Sequence, residues 1–125
     1  MRIESKKFLE QAKMDFEAGI KNMENKIFFV SAFLFQQAAE KSLKAFWIEK
    51  NKENPPSTHN LIILAESLNL PEDLIECSKV LTPHSVISRY PTGEFAPYEI
   101  YSEAEVLRLK ECSERILKWI EVQLK

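Results

Sequence analysis

The sequence predicts an all-α protein, an up-and-down four-helix bundle with an additional short helix, and three observations carry that reading. Apolar residues recur at steps of three and four along most of the chain, the spacing of one helix face. Only two glycines occur in 125 residues, whereas an all-β chain of this length needs many more turn formers. Hydrophobic residues make up 45%, enough for a real core and more than a disordered chain carries. No repeat, low-complexity tract or linker interrupts the pattern, so residues 1–125 are expected to form a single domain.

The first helix is expected over about Ile3 to Met23, with Phe8, Leu9, Ala12, Phe16, Ile20 and Met23 on one face. A second, about Lys26 to Lys52, lacks Gly and Pro entirely. Pro55 and Pro56 then prevent the hydrogen-bond ladder from continuing. Ser57 or Thr58 is placed to cap a third helix carrying Leu61, Ile62, Leu64, Ala65 and Leu68. Pro71 suits the first turn of a fourth, with Glu72 and Asp73 favourable at its positive end. Ser85 to Tyr101 reads as irregular, since it holds two prolines, a glycine and all three tyrosines. Ser102 and Glu105 then have the spacing of a capping box that opens the last helix.

The second helix is the informative one. Winding it at about 100° per residue gathers Phe28, Ala32, Phe35, Ala39, Leu43 and Phe46 into a core-facing stripe. Across from the stripe lies an arc of Phe29, Phe33, Gln36, Gln37, Glu40, Lys41, Lys44, Trp47 and Ile48. Aromatics interleaved with charges suit an interface or a ligand-lined groove. The plainer alternative is that neighbouring helices cover both sides while the long side chains reach outward. Phe29, Phe33, Gln37, Glu40 and Trp47 are the candidate interface residues, and a self-complementary surface would give a two-fold homodimer.

Several function classes fall away. A net charge of -2 supplies no global basic field for nucleic acid, so such contact needs a local patch. Cys77 and Cys112 stand 35 residues apart without a CxxC or a paired His, and are expected to be reduced, small and partly buried. No metal or other cofactor is implied. The charged N-terminus lacks the apolar run of a signal peptide, and the apolar stretch from Ile27 to Ala39 is too short for a bilayer. A cytoplasmic protein without a membrane partner is expected. No Walker-type loop, dinucleotide turn, HExxH or nucleophile elbow occurs.

What remains is His59 after the proline pair, His84 after Pro83, and Arg89-Tyr90-Pro91 in the irregular stretch. An imidazole in the first turn of the third helix can act as a base or meet a phosphate, or serve only as cap and packing. An Arg beside a Tyr can clamp a phosphate and stack a base, or pair with a carboxylate while the ring packs.

Phe35-Gln36-Gln37-Ala38-Ala39-Glu40-Lys41-Ser42-Leu43-Lys44-Ala45 resembles the second-helix signature of HEPN domains. Thr58-His59-Asn60-Leu61, Ser88-Arg89-Tyr90-Pro91 and the closing helix with Ile116, Trp119 and Ile120 follow in the family's order. The resemblance implies a helical bundle that commonly dimerises, often encoded beside a minimal nucleotidyltransferase as a pair resembling a toxin–antitoxin module. Some members are metal-independent ribonucleases, and others look like nucleotide- or RNA-binding partners. The family's recurrent polar residues fall on Gln37, Glu40, Lys41, Lys44, His59, Arg89 and Tyr90. Ribonuclease members carry an Arg and a later His with four to six residues between them. Here Glu94, Phe95 and Ala96 occupy the corresponding distances after Arg89, so that motif is absent.

Three readings follow. The first is a nucleotide- or RNA-binding module acting with a nucleotidyltransferase, its ligand met by Lys41, Lys44, His59, Arg89 and Tyr90. The second is an endoribonuclease toxin using His59 or His84 with Arg89. The third is a purely structural interaction subunit.

Overall fold

Three helices longer than twenty residues make the frame: α1 (Ile3–Glu24), α2 (Phe28–Asn51) and α7 (Glu103–Gln123). The computed structural model describes residues 1–125 and has no strand, only one isolated bridge between Thr92 and Phe95. Four shorter helices complete it: α3 (Leu61–Ser67), α4 (Glu72–Leu81), α5 (His84–Ile87) and α6 (Pro97–Ile100). The result is an all-α, up-and-down helical bundle.

The helix inventory corrects the expectation of four long helices and one short one. The chain between α2 and α7 is broken four ways rather than two. Left-handed Asn69 and then Pro71 separate α3 from α4, a combination that no continuous helix accommodates. The segment read as irregular contains α5 and α6, each a single turn, too short for apolar periodicity to reveal. The third helix is also capped elsewhere: Asn60, not Ser57 or Thr58, accepts from the amides of Ile62 and Ile63 at 2.9 and 3.4 Å. Thr58 instead accepts from the Asn60 amide at 3.0 Å. His59 therefore lies outside α3, one residue before its N-cap. Ser102 caps α7 as expected, its hydroxyl accepting from the Glu105 amide at 3.1 Å.

Helix α2 runs through the centre, packed along α1 on one side and α7 on another, with α3, α5 and α6 against its remaining surface. The predicted stripe is the core: Ala32, Phe35, Ala39 and Leu43 are wholly buried, with Phe28 and Phe46 half-buried at its ends. Phe35 sits where α1 comes closest. A Cβ on Gly19 would fall 2.6 Å from the Phe35 ring, so only glycine permits this approach. Two hydroxyls bind the layers through helix carbonyls: Ser31 donates to Gly19 O at 2.8 Å and Ser113 to Phe35 O at 2.7 Å. Leu9, Ala12 and Phe16 of α1 and Val106, Leu109, Ile116 and Ile120 of α7 close the core. No helix is long and apolar enough to cross a membrane.

Cys77 of α4 and Cys112 of α7, distant in sequence, are brought together. Burial and the neighbouring Cys77 thiol push the Cys112 thiol up to about 12, and Arg115 donates to Cys77 Sγ at 3.5 Å. Both thiols are free.

Candidate functional site

The arc opposite the core stripe is two different structures, one polar and covered, the other aromatic and open. The covered part centres on Glu40, which is 4% exposed within the chain itself. Its Oε1 lies 2.9 Å from His59 Nδ1 and accepts from Gln36 Nε2 at 3.1 Å, while Oε2 accepts from Lys44 Nζ at 3.1 Å. Gln36, wholly buried, also reaches the His59 carbonyl at 3.5 Å and accepts from Gln37 Nε2 at 2.7 Å. A carboxylate buried this way is tolerable because its lone pairs are filled by three donors. The loop that follows the proline pair thus lays His59 across α2, where helical burial patterns alone placed an open polar face.

A carboxylate accepts only, so the His59 Nδ1 beside it is the nitrogen that donates to Glu40. Nε2 is left free of that contact, on a side chain that is 60% exposed. Lys44 is 12% exposed and neutralised by Glu40. Lys41 is neutralised by a carboxylate that the sequence reading did not single out: Asp15 of α1, whose Oδ2 stands 2.5 Å from Lys41 Nζ and whose Oδ1 accepts from Gln11 at 2.8 Å. The signal was present, since Asp15 interrupts the apolar stripe between Ala12 and Phe16. Both lysines are held in intramolecular ion pairs.

The open part lies toward the start of α2. A cavity of about 360 Å³ is lined by Phe29, Val30 and Phe33 of α2, Ser88 and Arg89 beyond α5, and Pro97 and Tyr98 of α6. Its shape comes from the two one-turn helices. In α5 the first two carbonyls are taken by side chains, Ser88 Oγ donating to His84 O and Arg89 Nε to Ser85 O, the latter at 2.6 Å. That bond swings the guanidinium over the Phe33 ring at 5.1 Å, with the Tyr90 ring at 5.3 Å. The Glu99 carboxylate accepts from the Ala96 amide at 3.0 Å and fixes the start of α6. Arg89 makes no ion pair with any carboxylate. Pro97 and Tyr98 were not singled out from sequence, because nothing in the irregular stretch distinguished which ring would return to α2.

Of the sequence candidates, Arg89, Phe29 and Phe33 line this cavity, and Tyr90 packs against the Arg89 guanidinium. His59, Glu40, Gln37 and Lys44 gather two turns further along the same face, since Phe33 and Glu40 are seven residues apart, about 10 Å of helix. Trp47 lies beyond both, half-buried against the core. His84 joins neither group. Its Nδ1 is 2.7 Å from Tyr101 Oη, and burial together with the Arg108 charge holds its pKa below the usual histidine value. Burial and Glu105 raise that of Tyr101. The reverse pairing of His84 with Arg89 is therefore not formed. The structure contains no group of three or more His, Cys, Asp or Glu side chains placed to hold a metal ion.

A family profile described as HEPN domain matches residues 5–123. Among solved structures, the chain is similar to TT1696 from Thermus thermophilus, at 25% identity and a TM-score of 0.88 over 96% of this chain and 98% of that one. It is also similar to ST0689, an archaeal HEPN homologue, at 31% identity and a TM-score of 0.85 over the full length of both. A HEPN domain protein from Thermotoga maritima, tm0613, is similar at 26% identity and a TM-score of 0.74 over 94% and 96%. No curated protein matches the chain.

Proposed function

The chain belongs to the HEPN family, and we propose that it is a nucleotide- or RNA-binding module whose contact surface is the outward face of α2. The observation that carries this reading is the state of Arg89. A guanidinium fixed on two aromatic faces, held at Nε and left without a carboxylate, is a ready site for a phosphate, because its fork is oriented before the ligand arrives. His59, exposed two turns away on the same face, supplies a second polar contact. Lys41 and Lys44 act behind them, as counter-ions that keep Asp15 and Glu40 from repelling an anion. Protein partners complete the proposal: a second copy of the chain, and a minimal nucleotidyltransferase with which it works as a toxin–antitoxin pair, a grouping that rests on the resemblance alone.

The test is anisotropy of a short labelled single-stranded RNA. Binding should weaken as salt rises and should fall in Arg89→Gln, whereas Arg89→Gln binding like the wild type would refute the reading. Copurification of a nucleotidyltransferase encoded beside the gene tests the partner.

One observation favours a second reading, metal-independent RNA cleavage: the buried Glu40 orients His59 with Nε2 outward, as a general base requires. Incubation with total RNA in EDTA decides it. Cleavage by the wild type but not by His59→Ala supports this reading, and intact RNA in both removes it.

A further inference from the structure

We infer that the slot between the start of α2 and α6 is a stacking seat for one unpaired base of single-stranded RNA, with the adjoining phosphate on Arg89. This deepens the reading of the chain as an RNA-binding module and rests on it. A cavity of about 360 Å³ has room for a flat ring system, and Phe29, Phe33, Tyr98 and Pro97 are among the residues that line it. A base inside a duplex has both faces covered by its neighbours, so only an unstacked one fits.

The chemistry of the lining narrows the occupant. Arg89 is the only charged residue in it, so the ligand brings a negative charge beside an apolar plane. Nε is committed to Ser85 O, which leaves the two terminal amino groups as the fork that meets the phosphate. Of the two hydroxyls in the lining, that of Ser88 already donates to the His84 carbonyl, which leaves only the Tyr98 phenol. Base edges thus meet almost no hydrogen-bond donors, and the seat is tolerant of sequence: preference follows stacking area, purine above pyrimidine. Tyr98 and Tyr90 are 72% and 56% exposed, rings that the fold itself leaves uncovered. The acidic Glu99 of the same segment is turned to the Ala96 amide, outside the lining.

The experiment compares short single-stranded oligoadenylate, oligouridylate and an abasic oligomer of equal length, by anisotropy, against the wild type and Tyr98→Ala. Because Tyr98 is exposed, its removal should leave the thermal midpoint in place. The expected order is oligoadenylate, then oligouridylate, then abasic, with about a tenfold span, and Tyr98→Ala should reduce oligoadenylate to the abasic level. Equal binding of all three oligomers, or an undiminished adenylate preference in Tyr98→Ala, overturns the seat and leaves RNA binding through phosphate contacts intact. No binding of any oligomer overturns the RNA reading as well. Displacement of RNA by N-acetyltryptophanamide but not by adenosine monophosphate assigns the slot to a protein side chain instead, and also overturns the seat.

Discussion

Phe35 and Phe33 stand two residues apart on α2 and face nearly opposite ways, about 200° around the axis. Phe35 is wholly buried, clamped between Gly19 of α1 and the α7 layer that reaches its carbonyl through Ser113. Phe33 is half-buried and carries a guanidinium on its outer face. The first ring contributes to stability through close packing on every side. The second sits beside a cavity, under one-turn helices held by a few side-chain hydrogen bonds. One helix thus serves the core on one side and presents chemistry on the other, and the two sides should respond differently to mutation.

The largest effect is expected on the core side. Phe35→Ala should cost about 3–5 kcal/mol in urea unfolding, and Gly19→Val should be comparably harmful because its side chain would occupy the Phe35 ring's place. A near-neutral Phe35→Ala would mean that this packing does not dominate stability. Between the two sides lies the buried ion pair. Lys44→Glu would set a second carboxylate beside Glu40 and should cost about 3 kcal/mol or more, so charge reversal at Lys44 cannot serve as a pure test of binding.

A smaller effect concerns pH. The folded-state pKa of His84 is depressed below its ordinary value of 6.5, so the unfolded chain binds the extra proton more readily. The contribution is present above pH 6.5 and is lost as pH falls from there through the folded pKa. Urea midpoints should therefore decline on acidification over that window, and His84→Phe should remove this component; an unchanged slope in the variant would contradict it. Smallest of all, Tyr98→Ala should shift stability by no more than about 0.5 kcal/mol, and a larger loss would show α6 to be part of the core.

Much of this division was legible in the sequence. The stripe from Ala32 to Leu43 on α2, the apolar face of α1 and the Ser102 cap are written in short-range spacing, which a single helix imposes. What spacing could not reveal is how non-helical chain returns to α2. The 52–60 loop covers Gln36 and Glu40 with His59, turning part of an apparently open polar face into an internal network. Asp15 claims Lys41 across 26 residues. The slot exists because α5 and α6, single turns with no periodicity, bring Arg89 and Tyr98 to Phe29 and Phe33. Residue types at the site were readable, but their partners depended on tertiary placement.

The most direct test of the central claim, that α2 separates stability from recognition, is to measure both properties on one variant. For Arg89→Gln, urea denaturation and single-stranded RNA affinity across a salt series should be recorded side by side. The denaturation midpoint should be unchanged, the affinity reduced about tenfold or more, and the salt slope shallower by about 0.7, the contribution of one phosphate contact. An affinity and salt slope equal to the wild type would contradict the role of Arg89, and a loss of affinity that tracks a loss of stability would contradict the separation.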